Sequence, residues 1–196
     1  MLELSDLELV VFDKDGTLSI PKGGARFVQN PKDQVLLKGV SERLAELTAS
    51  GLKLAIASNQ GGVSAGFKRL EDAILEMDYA MHLAGINHGV FCPEMNGGKA
   101  FAIEPRSEAN GQNTSMPFEL LSGGHCTWLS HQISLDDSGE GVWRKPCSGM
   151  IDYLCRFYKV DPGKCLFVGD MGSDQKAAEN AGAKFAWADD YFGTAL

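Results

Sequence analysis

Two carboxylates stand two residues apart in the run Asp13-Lys14-Asp15-Gly16-Thr17-Leu18. Where a chain leaves a strand, acids at this spacing can both turn toward one site while Lys14 points away. One carboxylate can then attack an electrophile such as phosphorus while the other handles protons. Gly16 permits a tight turn. The Thr17 hydroxyl can anchor that turn, which puts it among the candidate phosphate-binding residues. An Asp-x-Asp pair alone also fits an exposed turn or a calcium-type loop. The apolar run at 7–12 leading straight into it argues against both.

Three further runs offer complementary chemistry. In Ala57-Ser58-Asn59-Gln60-Gly61-Gly62 a hydroxyl is followed by backbone N–H groups at a strand end. That arrangement can hold phosphate oxygens, with Ser58 and Asn59 as the candidates; an ordinary strand-to-loop turn is the alternative. In Trp143-Arg144-Lys145-Pro146, Lys145 can neutralise phosphate charge and pair with a carboxylate. Arg144 can offer bidentate contacts to a second anionic group, although a solvated basic pair would look the same in isolation. In Val168-Gly169-Asp170-Met171-Gly172-Ser173-Asp174, Asp170 suits Mg²⁺ as a hard oxygen ligand. Asp174 stands at a helix start, where it can cap the helix, support a metal, or do both.

These residues need elements to bring them together. Residues 7–12, 52–57, 90–92, 165–168 and 184–187 read as buried strands. Helical spacing connects Val40, Leu44 and Leu47, with Ser41 and Glu42 near the start and Gly51 at the end. It also connects Leu70, Ile74, Met77 and Met81 within 67–84, closed by Gly85. Ser148 can cap a helix carrying Met150, Ile151, Leu154 and Phe157, and Ser173 or Asp174 one that runs to Gly182. Residues 18–37 hold Pro21, Gly23, Gly24 and Pro31 and read as a loop or flap. Strand and helix alternate, so the expected fold is α/β, a doubly wound parallel sheet with helices on both faces. In such sheets ligands bind at the carboxyl ends of the strands, where Asp13, Ser58 and Asp170 each stand just past a strand. The whole of 1–196 is expected to be one domain, with 93–142 as an irregular insert or partial lid. Within it, 99–103 and 127–133 could pair as a hairpin.

In this order the motifs resemble the haloacid dehalogenase (HAD) superfamily of phosphatases. The likeness is to the branch holding histidinol-phosphate, heptose-bisphosphate and polynucleotide 3′-phosphatases, and it rests on DKDGTL, SNQGG, RKP and GD-x-x-x-D. The resemblance implies that Asp13 attacks phosphorus and becomes aspartyl phosphate, and that Asp15 serves as acid and then base. It implies that Ser58 and Lys145 hold the phosphoryl group. It also implies Mg²⁺ on the Asp13 side chain, the Asp15 backbone carbonyl and Asp170, with Asp174 in support. The branch often carries a zinc loop with Cys-x-His and Cys-x-Cys pairs. Here Cys92 is followed two residues later by Glu94, and no Cys-x-Cys precedes the basic pair. His125, Cys126 and His131 are the remaining candidates, and a zinc-free insert is the plainer expectation.

Bulk properties narrow the partners. The chain has 196 residues, 44% of them hydrophobic, with a net charge of −8. The acidic balance, repeated in 93–143, disfavours a nucleic-acid clamp and leaves a small phosphomonoester as the expected substrate. A polynucleotide 3′-phosphatase is the alternative, and a non-catalytic phosphate-binding module the alternative of another class. Asp15 argues against the last, since storing phosphate needs no acid beside the nucleophile. A cysteine phosphatase on His125-Cys126 fails because Gln132 stands where its Arg must be. Five irregularly spaced cysteines suggest reduced thiols. No apolar run is long enough for a membrane span, and the acidic N-terminus does not read as a signal peptide, so the expected setting is the cytoplasm.

Overall fold

The computed structural model describes residues 6–105, 128–133 and 142–193. In chain order its elements are β1 (Leu9–Phe12), β2 (Ser19–Ile20), β3 (Val35–Leu36), α1 (Val40–Ala49), β4 (Lys53–Asn59), α2 (Leu70–Ala84) and β5 (Gly89–Cys92). There follow β6 (Ala100–Pro105), β7 (Trp128–Ile133), α3 (Gly149–Tyr158), β8 (Cys165–Gly169), α4 (Gly172–Ala181), β9 (Lys184–Trp187) and α5 (Ala188–Phe192). Five strands run parallel in the order β5-β4-β1-β8-β9. The expected hairpin forms: β6 and β7 pair antiparallel and extend the sheet beyond β5. The rest of the 93–142 segment, apart from residues 93–99 and 142, lies outside the described residues.

The strand sequences explain why the sheet is covered twice. All four residues of β1 are buried, as its unbroken apolar run requires. With a period of two, Val10 and Phe12 join one core with Val40, Leu44 and Leu47 of α1, Ala73 and Met77 of α2, and Ala188 of α5. Leu9 and Val11 join the opposite core with Met150, Ile151 and Leu154 of α3 and Ala177 and Ala178 of α4. Full burial stabilises the fold by roughly 1.5–3 kcal/mol for each large side chain.

Three expectations change in detail. Residues 18–37 are not merely loop: β2 and β3 pair as an antiparallel hairpin, Ser19 opposite Leu36 and Ile20 opposite Val35. The second helix begins at Leu70 rather than at 67, because residues 61–68 fold into turns, with the Phe67 N–H donating to the Gly62 carbonyl at 2.9 Å. Phe67 is left exposed. Ser148 stands at the N-cap of α3 as expected, but its hydroxyl caps no backbone N–H and donates instead to Asp152 Oδ2 at 2.7 Å. Among the described residues no helix is long and apolar enough to cross a membrane.

Candidate active site

The central strands β4, β1 and β8 are neighbours, so the residues at their carboxyl ends meet at one edge. Asp13 follows β1 directly, and its N–H donates to the Val168 carbonyl of β8 at 2.9 Å. Asp170 follows β8. Ser58 and Asn59 do not lie past their strand: they are its last two residues, opposite Phe91 and Cys92 of β5. The ladder continues to the last residue of β4 because β5 is there to pair with it.

Lys145, from the turn before α3, reaches into this edge. Its ammonium lies 2.5 Å from Asp13 Oδ1, 2.7 Å from Asp174 Oδ1 and 3.0 Å from the Ala57 carbonyl. It is 4% exposed and Asp13 7%. Two carboxylates thus share one cation out of water. Burial pushes the Asp13 carboxyl up to about 7, against the pull of Lys145 and with the help of the Asp174 and Asp15 charges. Burial alone would lower Lys145, but the Asp13 and Asp174 carboxylates outweigh it and hold the ammonium protonated. The Lys145 backbone is clasped by Asn59, whose Nδ2 donates to the Lys145 carbonyl and whose Oδ1 accepts from the Lys145 N–H, both at 3.0 Å. Asn59 was a candidate for phosphate; its amide is instead engaged on the lysine.

Asp174 does not cap α4 from outside the helix. It sits in the first turn, and its Oδ2 accepts from the Met171 N–H at 3.0 Å. Asp170 accepts a long hydrogen bond of 3.4 Å from the Thr17 hydroxyl, and burial, then the Asp174 charge, raises its pKa. Gly16 is required by this approach. It has φ +84°, and a Cβ there would stand 2.4 Å from Asp170 Oδ2. Asp13, Asp170 and Asp174 each offer a carboxylate oxygen within 4.8 Å of the others. Oxygens on opposite sides of one Mg²⁺ stand about 4 Å apart, so a small closure would bring the three around a metal. Of the zinc candidates, Cys92 is a buried free thiol in contact with the Glu94 carbonyl at 3.3 Å. His125, Cys126 and the His131 side chain lie outside the described residues.

Lys14 departs from expectation. It does not point away from the acids but is fully buried, its ammonium turned onto Asp15 Oδ1 and lying 3.2 Å from Gln34 Oε1. A lysine so buried needs partners for its charge, and the Asp15 carboxylate and the hairpin's Gln34 supply them. Gln60, not singled out in the sequence, donates from Nε2 to both Asp15 Oδ2 and Ser58 Oγ at 2.9 Å. Its sequence signal is its place in the SNQGG run, directly after β4. Arg144 stands at the rim, one guanidinium nitrogen, Nη1, buried without a hydrogen-bond partner among the described residues. A Cβ on Gly61 would lie 2.8 Å from that nitrogen.

Comparisons with known proteins agree with this fold. Residues 8–195 match the model of the family described as polynucleotide kinase 3 phosphatase. A D-glycero-beta-D-manno-heptose-1,7-bisphosphate 7-phosphatase from Haemophilus ducreyi is 28% identical over 184 residues, covering 89% of this chain and 79% of the relative. A Pseudomonas putida enzyme of the same name is 25% identical over 178 residues, covering 91% and 80%. The D,D-heptose 1,7-bisphosphate phosphatase of B. bronchiseptica, solved with magnesium and phosphate, superposes with a TM-score of 0.58 at 22% identity, over 91% of this chain and 79% of that one. At that identity the likeness is one of fold. With the four motifs gathered at one sheet edge, the chain belongs to the polynucleotide kinase 3 phosphatase family and is a HAD-superfamily phosphatase of the branch that includes the heptose-bisphosphate phosphatases.

Proposed function

We propose that the chain hydrolyses a small sugar- or metabolite-phosphate through an aspartyl-phosphate intermediate on Asp13. The observation that carries this reading is the buried Asp13 carboxylate, held by Lys145 at 2.5 Å with Asp15 two residues away. An Asp13 oxygen forms a bond to phosphorus as the bond from phosphorus to the leaving oxygen breaks, and Asp15 gives that oxygen its proton. Asp15 then takes a proton from water as the water oxygen bonds to phosphorus and the Asp13–phosphorus bond breaks. Lys145 neutralises charge on the transferring group, and the Ser58 hydroxyl and Thr17 help to hold it. Asn59 acts through Lys145, fixing its backbone. Mg²⁺ would be held by Asp13, Asp170 and the Asp15 backbone carbonyl with Asp174 in support, and when bound it neutralises phosphoryl charge.

The substrate reading rests on the heptose-bisphosphate relatives, the net charge of −8 and Arg144. Arg144 is the candidate for a second anionic group, as a sugar bisphosphate would provide; its Nη1, buried against Gly61, would have to turn outward to reach it. The family's description supports a second reading, removal of a 3′-phosphate from a polynucleotide. Cys92, Cys147, Cys155 and Cys165 are free, which fits the cytoplasm. The test is phosphate release with Mg²⁺ from sugar bisphosphates, histidinol phosphate, nucleotides and a 3′-phosphorylated oligonucleotide. Turnover of a small ester, abolished by Asp13→Asn, is expected. Preference for the oligonucleotide would transfer support to the second reading. Substantial turnover by clean Asp13→Asn protein would remove Asp13 from its role.

A further inference from the structure

Asp15 faces a physical difficulty. Its side chain is 48% exposed, and an exposed carboxylate moves among several rotamers. A proton donor must instead stay within hydrogen-bond reach of the leaving oxygen. Two buried groups grip it from opposite sides: Gln60 Nε2 donates to Oδ2 at 2.9 Å, and the Lys14 ammonium contacts Oδ1. Each oxygen keeps a lone pair for a proton.

The Gln60 amide is itself oriented. It is 3% exposed. Its Oε1 accepts from Lys68 Nζ at 3.1 Å, and Lys68 pairs with Glu76 Oε2 of α2 at 2.5 Å. A flipped amide would aim its own N–H groups at that ammonium, so the NH₂ is directed to Asp15 and Ser58. The Lys14 arm rests on the same helix. Gln34 Oε1 accepts from Lys14, and Gln34 Nε2 donates to the Glu76 carbonyl at 3.0 Å. A plain buried amide could be satisfied by any backbone. This one joins the carboxylate of one candidate residue to the hydroxyl of another.

We infer that Gln60 is a positioning residue: with Lys14 opposing it, it aims Asp15 at the leaving oxygen. The inference rests on the reading of Asp15 as proton donor. Protonation matters most where the leaving group is basic. Losing the aim should therefore harm alkyl phosphates, whose alkoxide cannot leave unprotonated, far more than 4-nitrophenyl phosphate, whose phenolate can.

The test compares kcat/KM, which reports the step that expels the leaving group and not the later attack of water, for both ester types in the full chain, wild type, Asp15→Asn, Gln60→Leu and Lys68→Met. Gln60→Leu should lower kcat/KM on the alkyl ester by about 30-fold, a part of the roughly 10²–10⁴-fold that acid catalysis supplies. On 4-nitrophenyl phosphate kcat/KM should fall by less than about 3-fold, and Asp15→Asn should show the same asymmetry more strongly. Equal loss on both esters by Gln60→Leu, with Asp15→Asn asymmetric, would overturn the inference and leave Asp15 as the donor. A symmetric Asp15→Asn would overturn the donor reading and the inference together. If Gln60→Leu fails to fold, Lys68→Met, which frees the amide without touching Asp15, is judged by the same asymmetry.

Discussion

Replacing Lys145 by Met keeps the side chain's length and apolar stem but removes the ammonium that Asp13 and Asp174 share at 2.5 and 2.7 Å. All three groups are buried, so water cannot substitute. Without the cation, one more carboxylate than in the native protein must take up a proton on folding. For an aspartate of ordinary pKa near 3.9, this costs about 4 kcal/mol at about pH 7 and only about 1.5 kcal/mol at about pH 5. The first figure lies within the roughly 3–5 kcal/mol measured when a buried ion pair loses one partner. Urea unfolding in EDTA at both pH values should reveal this dependence, and Lys145→Met combined with Asp174→Asn should recover most of the loss at pH 7. Phosphatase activity should remain absent in both variants. A loss of stability that is the same at both pH values, or no loss at all, would refute the shared-cation account.

Gly16→Ala should reduce activity about 10²-fold or more with the fold retained, because its Cβ would meet Asp170 Oδ2 at 2.4 Å from a φ of +84°. Circular dichroism would confirm the fold, and titration of activity with Mg²⁺ should show a higher requirement for the metal. Asp78 is pushed up by burial, and its Oδ1 has no hydrogen-bond partner among the described residues. A raised carboxyl favours folding less and less as pH climbs from the unfolded value through the folded one. Asp78→Asn should therefore raise the thermal midpoint at pH 8 and leave it unchanged near pH 3. The opposite order, a gain only in acid, would contradict the burial account.

The sheet and the acidic and basic side chains at its edge were legible in the sequence because each has a strong local signal. Asp13 and Asp170 follow unbroken apolar runs, and a parallel strand that begins and ends in the core must deliver the next residue to one edge. Lys14 was misread for the same reason. Alternation along a strand predicts that the residue between two site acids points away from them, but β1 has already ended at Phe12 and the chain is turning. The Leu18 and Ser19 N–H groups both donate to the Lys14 carbonyl at 3.0 Å, which folds the lysine under the turn. Gln60 stands inside the SNQGG run, yet no role for it was legible because amides after strands are commonplace. Only the approach of Lys68 and Glu76 from α2 gives this one an orientation. Asn59 was assigned to phosphate by its neighbourhood with Ser58; its partner, 86 residues away, has no counterpart in local pattern.

The order of strands also fixes when function can appear. β1 is the first of the described strands along the chain, yet its neighbours in the sheet begin at Lys53 and Cys165. Asp13 meets Lys145 across 132 residues, and Thr17 meets Asp170 across 153. Contacts so distant along the chain form late, since the loop between them must close first. A chain still emerging from the ribosome carries both aspartates of its first motif but neither the ammonium nor the last two carboxylates. Its candidate site stays incomplete until β8 slides in beside β1. Turnover during refolding therefore serves as a clock for that final docking, and should lag behind the recovery of helical signal.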